Sequence, residues 1–331
     1  MKRVRYAPSP TGSLHVGNAL TAVANRNAGD WLLLRIDDTD PERNVPGGEA
    51  GVEEDLRWLG IAWDEGPVSQ SKRNARYVEA WESTGLPPEL QGFRLVRENG
   101  TATYNLASVV DDVDFGITHV IRGADHRPNE PVQRKLFEAL GTSVPEFIYV
   151  GLLVGDDGKK LSKRAEGATV ASLRDAGYPA EAVRAYLDEL GLPRHDVHLD
   201  LERIRSLSVD VLAAMEDDEL AARAGVPVAA VPLMRGAHDL VEARALAASV
   251  LDAPTGEHID PLTLARFVEL RSGAPETVGK DQAREIIREL KAVGGNLKAL
   301  RVALTGAERG PELWAVVAAL PRDEALRRAL P

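Results

Sequence analysis

The alternation of apolar and polar residues predicts an α/β half followed by a helical half. Arg3–Ala7 is typical of a short strand, a Pro- and Gly-rich loop interrupts it at residues 8–12, and the Ala-rich segment from about Gly17 favours a helix. The apolar run Trp31–Ile36 is typical of a buried parallel strand. The first forty residues therefore indicate a βαβ unit.

Further elements follow from the same reasoning. The pattern predicts helices at Gly48–Leu59, Ser71–Trp81 and Asn129–Leu140 and a strand at Thr118–Arg122. Two β-rich runs around Asn99-Gly100, at residues 93–97 and 101–104, indicate a hairpin. We expect two strands to carry Tyr104, Ser108 and Arg122. After Ala180 strand signals nearly vanish and amphipathic helical segments dominate.

Composition narrows the class of protein. The 331 residues carry 51 acidic and 40 basic side chains, a net charge of -11 that argues against indiscriminate binding to phosphate backbones. The absence of cysteine excludes disulfides, thiolate catalysis and Cys-based zinc sites. No apolar stretch approaches the roughly 20 residues of a membrane span, and no signal-peptide core follows Met1. We expect a soluble, cytoplasmic protein.

Two segments are suited to binding a nucleotide. Residues 7–19 lead from a strand through a Pro-rich loop into a helix whose first turn holds His15 and Gly17, where backbone N–H groups attract phosphate. Residues 155–164 form a Gly-flanked turn with Lys160, Ser162 and Lys163, suited to charge developing on a triphosphate. A helix cap at the first and a solvated basic hairpin at the second are the structural alternatives.

Two further groups are suited to a small zwitterionic or acidic ligand. The carboxylates of residues 37–40 follow a strand, where open α/β sheets place ligands, and could bind an ammonium group, a ribose or Mg²⁺. Arg5 and Arg122 could each hold a carboxylate bidentately, with the Tyr104 hydroxyl as a further donor. A turn cluster and structural arginines at strand ends remain the alternatives.

Together these segments resemble bacterial glutamyl-tRNA synthetases, which are class I aminoacyl-tRNA synthetases. The resemblance is dense to about residue 192 and thin after it. It is carried by Arg-x-Ala-Pro-Ser-Pro-Thr-Gly at 5–12, Leu-His-Val-Gly-Asn-Ala at 14–19, Arg-Ile-Asp-Asp-Thr-Asp at 35–40, Val-Val-Asp-Asp at 109–112, Val-Ile-Arg-Gly at 120–123 and Lys-Leu-Ser-Lys-Arg at 160–164.

The resemblance implies a Rossmann-type class I catalytic domain that joins L-glutamate to ATP with Mg²⁺ and passes the acyl group to the terminal adenosine of tRNA. No zinc is implied, because the chain has no cysteine. The implied catalytic residues are His15, Lys160 and Lys163. The implied ATP-binding residues are Pro8, His15, Gly17, Ala19, Lys160, Leu161, Ser162 and Lys163. The implied glutamate-binding residues are Arg5, Ala7, Ser9, Asp37, Tyr104, Ser108 and Arg122.

Several positions depart from the family pattern. Asp37 stands where Glu is common, Ser108 where a larger polar residue such as Asn is frequent, and Ala124 where an acidic residue is common. The long insertion that contacts the tRNA acceptor end is reduced to about residues 71–101.

The resemblance also implies three domains. A catalytic domain covers residues 1–150, a stem-contact-like helical domain with the Lys-Leu-Ser-Lys-Arg loop covers 151–255, and a shortened anticodon-binding-type domain covers 256–331. In the last, a helix from Lys280 is expected to present one basic face and to contact tRNA phosphates through Lys280, Arg284, Arg288 and Lys291. A solvated helix face is the alternative. We expect a monomer.

Three other functions remain open at this stage. The chain could glutamylate queuosine in a tRNA anticodon, although such enzymes usually lack the helical sequence found here after the catalytic half. It could use a small amine or carrier as acceptor, which the reduced insertion would permit. It could also be a catalytically silent relative that binds tRNA or nucleotide, although the retained Lys160, Ser162, Lys163, His15 and Gly17 argue against this.

Overall fold

The computed structural model describes residues 1–155, 161 and 167–330. Contacts divide the chain into two compact units. Unit 1 comprises Met1–Asp175 and Ala180–Ile204, and unit 2 comprises Ala176–Pro179 and Arg205–Pro331. The boundaries expected after residues 150 and 255 do not coincide with this division, and the three-domain organisation stays a prediction.

The start of unit 1 is the predicted βαβ unit. Strand β1 (Arg3–Tyr6), helix α1 (Val16–Ala28) and strand β2 (Trp31–Ile36) follow one another, and β1 pairs in parallel with β2. Helix α2 (Gly48–Trp58) leads to β3 (Glu65–Ser69), which pairs in parallel with the other edge of β2. The mostly apolar sequence of β2 is consistent with its central position, because both of its faces are covered, and its one charged residue, Arg35, is fully buried.

The segment after β3 differs from the expectation. A turn of 3₁₀ helix precedes α3 (Asn74–Thr84), and β4 (Glu89–Leu90) pairs with β5 (Phe93–Arg94). The Asn99-Gly100 turn is present, since Val96 and Ala102 form an antiparallel bridge across it. The second strand expected at residues 101–104 is absent beyond this single bridge, because Tyr104 already begins the next helix.

The prediction that Tyr104 and Ser108 lie on a strand was wrong, because both lie on helix α4 (Tyr104–Asp114). The Val-rich composition favours a strand, but Leu106, Val109, Val110 and Val113 recur at helical spacing. They face a core shared with the preceding helix and with the helix that follows. Tertiary packing therefore overrides β-propensity here.

A second pair of parallel strands continues the α/β layer. Strand β6 (His119–Gly123) is followed by α5 (Glu130–Ala139) and β7 (Glu146–Val150), and β6 pairs in parallel with β7. The backbone N–H of Thr118 donates to the Arg3 carbonyl at 3.0 Å, which places β6 beside β1. The carboxyl ends of β1, β2 and β6 therefore meet at one edge.

The remainder of unit 1 is small. Its elements are β8 (Leu153–Val154), α6 (Val170–Asp175), α7 (Ala180–Leu190) and β9 (Val197–His198), of which β8 and β9 pair in parallel. Helix α8 (Leu201–Ala214) begins at the end of this unit.

The described part of unit 2 is helical, as predicted. Its core includes the fully buried Phe267, Leu290 and Val316. No described helix has the length and apolar character needed to cross a bilayer. The helices after α8 are α9 (Asp217–Ala224), α10 (Val231–Met234), α11 (Leu240–Leu251), α12 (Pro261–Ser272), α13 (Lys280–Ala292), α14 (Leu297–Thr305), α15 (Leu313–Ala319) and α16 (Arg322–Ala329).

Candidate active site

A cavity of about 600 Å³ opens in unit 1 where β1, β2, β6 and β7 end. This is the edge at which open α/β sheets bind their ligands. Residues from the loop after β1, the acidic turn after β2 and the segments after β6 and β7 line it. The sequence-predicted site residues that line it are Arg5, Ala7, Pro8, Ser9, His15, Gly17, Asp37, Tyr104 and Arg122.

Arg5 reaches the cavity from β1 and is 4% exposed. Its Nε lies 3.3 Å from an Asp112 carboxylate oxygen, and its Nη1 donates to the Ile121 carbonyl at 3.5 Å. Its Nη2 makes no hydrogen bond within the part of the chain that the structure describes. This side chain is thus oriented by protein contacts on one edge and retains donors for a ligand.

Arg122 reaches the same cavity from β6 and is 5% exposed. Its Nη1 donates to Gln133 Oε1 at 2.7 Å and its Nη2 donates to the Tyr149 hydroxyl at 3.1 Å. The Arg122 Nε is buried without a partner among the described residues. Nη1 and Nη2 each keep a second N–H, so the guanidinium can still donate to an anionic ligand in the cavity.

Asp37 provides a carboxylate at the end of β2. It is 8% exposed, and its Oδ1 accepts from Arg35 Nε at 2.8 Å. Burial raises the pKa of the Asp37 carboxyl, and the adjacent Arg35 guanidinium offsets only part of that rise. Its second oxygen has no hydrogen-bond donor among the described side chains, so it can accept from a bound ammonium group.

His15 is the N-cap of α1 and is held in one tautomer. Its Nδ1 accepts from the backbone N–H of Gly17 at 3.1 Å, so the proton lies on Nε2, which donates to the Leu161 carbonyl at 2.9 Å. A Cβ at Gly17 would lie 3.3 Å from His15 Nδ1, tighter than an ordinary contact. Glycine here leaves room for the imidazole at the helix terminus, where an anion is favoured.

Tyr104 is the first residue of α4 and lies at the cavity wall. Its hydroxyl lies 3.2 Å from His126 Nδ1, and the two rings are 5.6 Å apart. The direction in which the Tyr104 hydroxyl points its hydrogen therefore depends on the tautomer of His126. His126 also lines the cavity.

Some predicted residues do not reach the cavity. Ala19 is fully buried in α1, and Ser108 is 1% exposed, with its hydroxyl accepting from Arg35 Nη2 at 3.3 Å. Leu161 does not line the cavity, but its carbonyl contacts His15. Lys160, Ser162 and Lys163 lie outside the described residues.

Several residues that shape the site were not predicted. No sequence motif pointed to Gln133, Tyr149 or His126. The first two contact Arg122 and the third contacts Tyr104, and in each pair the residues are brought together by the fold. Arg35 and Asp112, by contrast, lie within the motifs at 35–40 and 109–112, but the sequence analysis assigned neither of them a role in the site.

The predicted basic face lies on α13 in unit 2, and this helix begins at Lys280, as predicted. All four of its basic side chains, at 280, 284, 288 and 291, are exposed. Lys280 Nζ lies 5.5 Å and the Arg284 guanidinium carbon 5.0 Å from the ring centre of Trp314, and Arg288 pairs with Glu285. The opposite, apolar face includes buried Ile286 and Leu290, whereas Val293, directly after the helix, is 64% exposed.

Comparison with known proteins assigns the chain to a family. The family described as tRNA synthetases class I (E and Q), catalytic domain, matches residues 1–83 and 86–218. Glutamate–tRNA ligase 1 of Rubrobacter xylanophilus is 34% identical over 420 residues, covering 98% of this chain and 96% of that protein. Glutamate–tRNA ligase 1 of Maricaulis maris is 31% identical over 442 residues and covers 99% of both chains. Both alignments are longer than this chain, so both relatives carry additional residues within them.

A solved structure shows the same fold. The crystal structure of a glutamate tRNA ligase from Elizabethkingia meningosepticum in complex with its amino acid superposes with a TM-score of 0.76 at 23% identity, covering 99% of this chain and 98% of that one. The α/β unit and the helical C-terminal part are therefore those of a class I aminoacyl-tRNA synthetase. The chain belongs to the glutamate–tRNA ligases of the class I tRNA synthetases.

Proposed function

We propose that this chain activates L-glutamate with ATP to glutamyl-adenylate and transfers the glutamyl group to the 3′-terminal adenosine of tRNA. The observation that supports this is the convergence of two buried arginines and a buried carboxylate on the cavity that His15 and Gly17 also line. A diacid with one ammonium group is complementary to this set of charges.

In the proposed complex, the two arginines bind the two carboxylates of glutamate. Arg5 and Arg122 offer their free donors, Tyr104 adds a hydroxyl, and Asp37 with Ser9 accepts from the ammonium group. Glutamine would leave one buried guanidinium facing a neutral amide, which costs more than about 3 kcal/mol because the unsatisfied donor is charged. The geometry therefore favours the acid over the amide.

ATP would lie toward the N-terminus of α1, beside His15 and Gly17. An oxygen of the glutamate α-carboxylate attacks the α-phosphorus, and the bond from that phosphorus to the pyrophosphate oxygen breaks. The protein contributes position and charge, since no covalent enzyme intermediate is required. Lys160 and Lys163 would stabilise the negative charge of the leaving pyrophosphate. Mg²⁺ would enter with ATP as its counter-ion, and we assign it no protein ligand.

The tRNA would contact the exposed basic face of α13. Three of its four basic side chains form no ion pair in the described part of the chain, so their charges are available to phosphates. Although Asp37, Ser108 and Ala124 differ from the residues common in the family, both Arg5 and Arg122 still line the cavity. We further propose that the enzyme is monomeric and acts in the cytoplasm.

Aminoacylation of unmodified tRNA transcripts with labelled glutamate, ATP and Mg²⁺ tests the proposal. We expect charging of the transcript cognate for glutamate, and failure to charge any cognate tRNA would overturn it. Because transcripts lack queuosine, charging also excludes the queuosine-specific reaction. Full-rate glutamate-dependent pyrophosphate exchange without tRNA, combined with no charging, would instead indicate a small-molecule acceptor.

A further inference from the structure

A network of ion pairs lies beneath the cavity and connects Arg5, a proposed carboxylate-binding residue, with Asp37, a proposed ammonium-binding residue. Asp112 on α4 lies between two arginines, with its carboxylate 3.3 Å from Arg5 Nε and 2.9 Å from Arg35 Nη1. Arg35 in turn donates to Asp37 Oδ1 at 2.8 Å. A continuous chain of contacts thus runs from Arg5, which faces a ligand carboxylate, to Asp37, which faces a ligand ammonium group.

All four side chains of this network are almost completely buried. Their exposed fractions are 4% for Arg5, 0% for Arg35, 8% for Asp37 and 4% for Asp112. Burial lowers the pKa of Arg35, but the carboxylates of Asp37, Asp112 and Asp111 outweigh it and raise that pKa well above its ordinary value. Such ions cannot turn to water when a partner is lost, so each one constrains the position of the next.

Arg35 and Asp112 do not themselves line the cavity. Arg35 is further held by Ser108, whose carbonyl and hydroxyl accept from Nη1 and Nη2 at 3.4 and 3.3 Å. Any influence of these two residues on a ligand must therefore pass through Arg5 and Asp37. This also gives Ser108 a part in the site that involves no contact with the ligand.

We propose that Asp112 and Arg35 are positioning residues that set the separation between the Arg5 guanidinium and the Asp37 carboxylate. That separation selects an amino acid by the distance from its ammonium group to its side-chain carboxylate, since the distance to the α-carboxylate is the same in all α-amino acids. The inference rests on the proposed function, because it assumes that Arg5 and Asp37 bind glutamate.

The neighbouring Asp111 offers a contrast within the same helix. It is fully buried and accepts from Arg73 Nε at 2.8 Å and from the Tyr77 hydroxyl and Gln70 Nε2 at 2.9 Å each. Gln70 and Arg73 precede α3 and Tyr77 lies in its first turn, whereas Asp111 forms only a longer ion pair with Arg35, at 3.7 Å from Nε. Asp111 contacts neither Arg5 nor Asp37 and reaches the network only through this longer ion pair with Arg35, so its loss leaves Asp112 in contact with both arginines.

The test compares Asp112→Asn with Asp111→Asn in glutamate-dependent ATP–pyrophosphate exchange with tRNA present, alongside thermal unfolding. For Asp112→Asn we expect the KM for glutamate to rise about tenfold or more, while the KM for ATP stays within about twofold. For Asp111→Asn we expect a lower Tm, a KM for glutamate raised by less than about threefold and a KM for ATP within about twofold, because both arginines keep their contacts with Asp112. Adding Arg5→Lys to Asp112→Asn should raise the KM for glutamate by less than the product of the two single effects, since both act on one contact.

Equal increases in both KM values, an unchanged KM for glutamate, or multiplicative effects in the double variant would each overturn the proposal. If Asp112→Asn does not fold, Asp112→Glu is measured instead. It keeps the charge but moves it by one methylene, and the same criteria apply. Charging by the wild-type enzyme separates failure of the proposed function from failure of the positioning role. If it does not charge tRNA with glutamate, the proposed function fails, whereas an active wild type with an unaffected Asp112 variant overturns only the positioning role.

Discussion

The two buried arginines differ in how firmly the protein holds them. The two terminal nitrogens of Arg122 donate to the neutral side chains of Gln133 and Tyr149. Its guanidinium carbon also lies 4.9 Å from the ring centre of Phe147 and 5.4 Å from that of Tyr149, which adds cation–π contacts. Arg5 shares its charge with Asp112 instead. Arg122 is therefore oriented without being neutralised by a carboxylate in direct contact, and it is the stronger anion site of the two.

Replacing Arg122 by lysine should raise the KM for glutamate about a hundredfold, because a compact ammonium group lacks the planar fork that reaches Gln133, Tyr149 and a carboxylate at the same time. Steady-state charging at varied glutamate measures this, with the KM for ATP expected to stay unchanged. Arg76→Lys, at an exposed arginine of α3 that pairs with Asp114, is the control and should leave the KM for glutamate unchanged. Equal KM values for glutamate in the two variants would remove Arg122 from substrate binding.

Asp37 makes glutamate binding sensitive to acid. Because burial raises the pKa of its carboxyl, the carboxylate is lost at a higher pH than for an ordinary aspartate. The KM for glutamate should therefore be constant above that raised pKa and increase as the pH falls through it. Asp37→Asn should show a high KM at every pH without this increase. A wild-type KM that stays flat into the range where ordinary aspartates titrate would contradict the assigned role.

The loop between β1 and α1 is held in place by its neighbours. The Pro8 carbonyl accepts from Asp37 N at 2.9 Å and the Pro10 carbonyl from Val45 N at 3.0 Å. At the other end, Asp55 of α2 accepts from the Ser13 hydroxyl and the Leu14 N–H at 2.7 Å each. Helix α2 thus supports the loop that lines one side of the cavity.

Gly48, the first residue of α2, allows this close packing. A Cβ there would lie 2.2 Å from the Pro10 carbonyl oxygen, so Gly48→Ala must displace backbone and should lower kcat/KM about tenfold or more. Gly51→Ala in the same helix meets its nearest atom at 3.7 Å and should leave activity unchanged. Charging assays on both variants measure the difference, and equal activity would show that the loop tolerates the displacement.

In unit 2, α16 is attached through one buried arginine. Arg328 is 2% exposed and donates to the carbonyls of Val250, Leu304 and Leu251 at 2.8 Å each, while its Nε contacts Glu324 at 2.6 Å. It therefore satisfies carbonyl groups at the ends of α11 and α14, which would otherwise be buried without donors.

Arg328→Ala should lower the free energy of unfolding by about 3 kcal/mol, whereas Arg327→Ala, which removes a solvent-exposed partner of the same Glu324, should lower it far less. Hydrogen bonds from Arg327 and Arg328 lower the pKa of Glu324 to about 2. Their contribution is thus present above the ordinary pKa of Glu324 and is lost as the pH falls toward about 2. Denaturant unfolding across this pH range checks both statements, and equal losses in the two variants would contradict them.

For the molecule as a whole, the order of strands and helices in the α/β part could be predicted because apolar runs, Pro and Gly mark their limits. The helical character of α4 could not be recognised from composition, since Val109 and Val110 favour a strand until they pack. The pairing of Arg35 with Asp112 joins residues 77 positions apart, and no local pattern encodes such a contact. The cavity residues were found by motif, whereas their supporting contacts required the fold.

The central claim is that two buried arginines in one cavity make this enzyme specific for a diacid. Competition between glutamate and glutamine for charging of the same tRNA measures it most directly. The account predicts a kcat/KM for glutamate at least about a thousandfold above that for glutamine, because the amide leaves a desolvated guanidinium without its counter-charge. Comparable charging with both amino acids would contradict it.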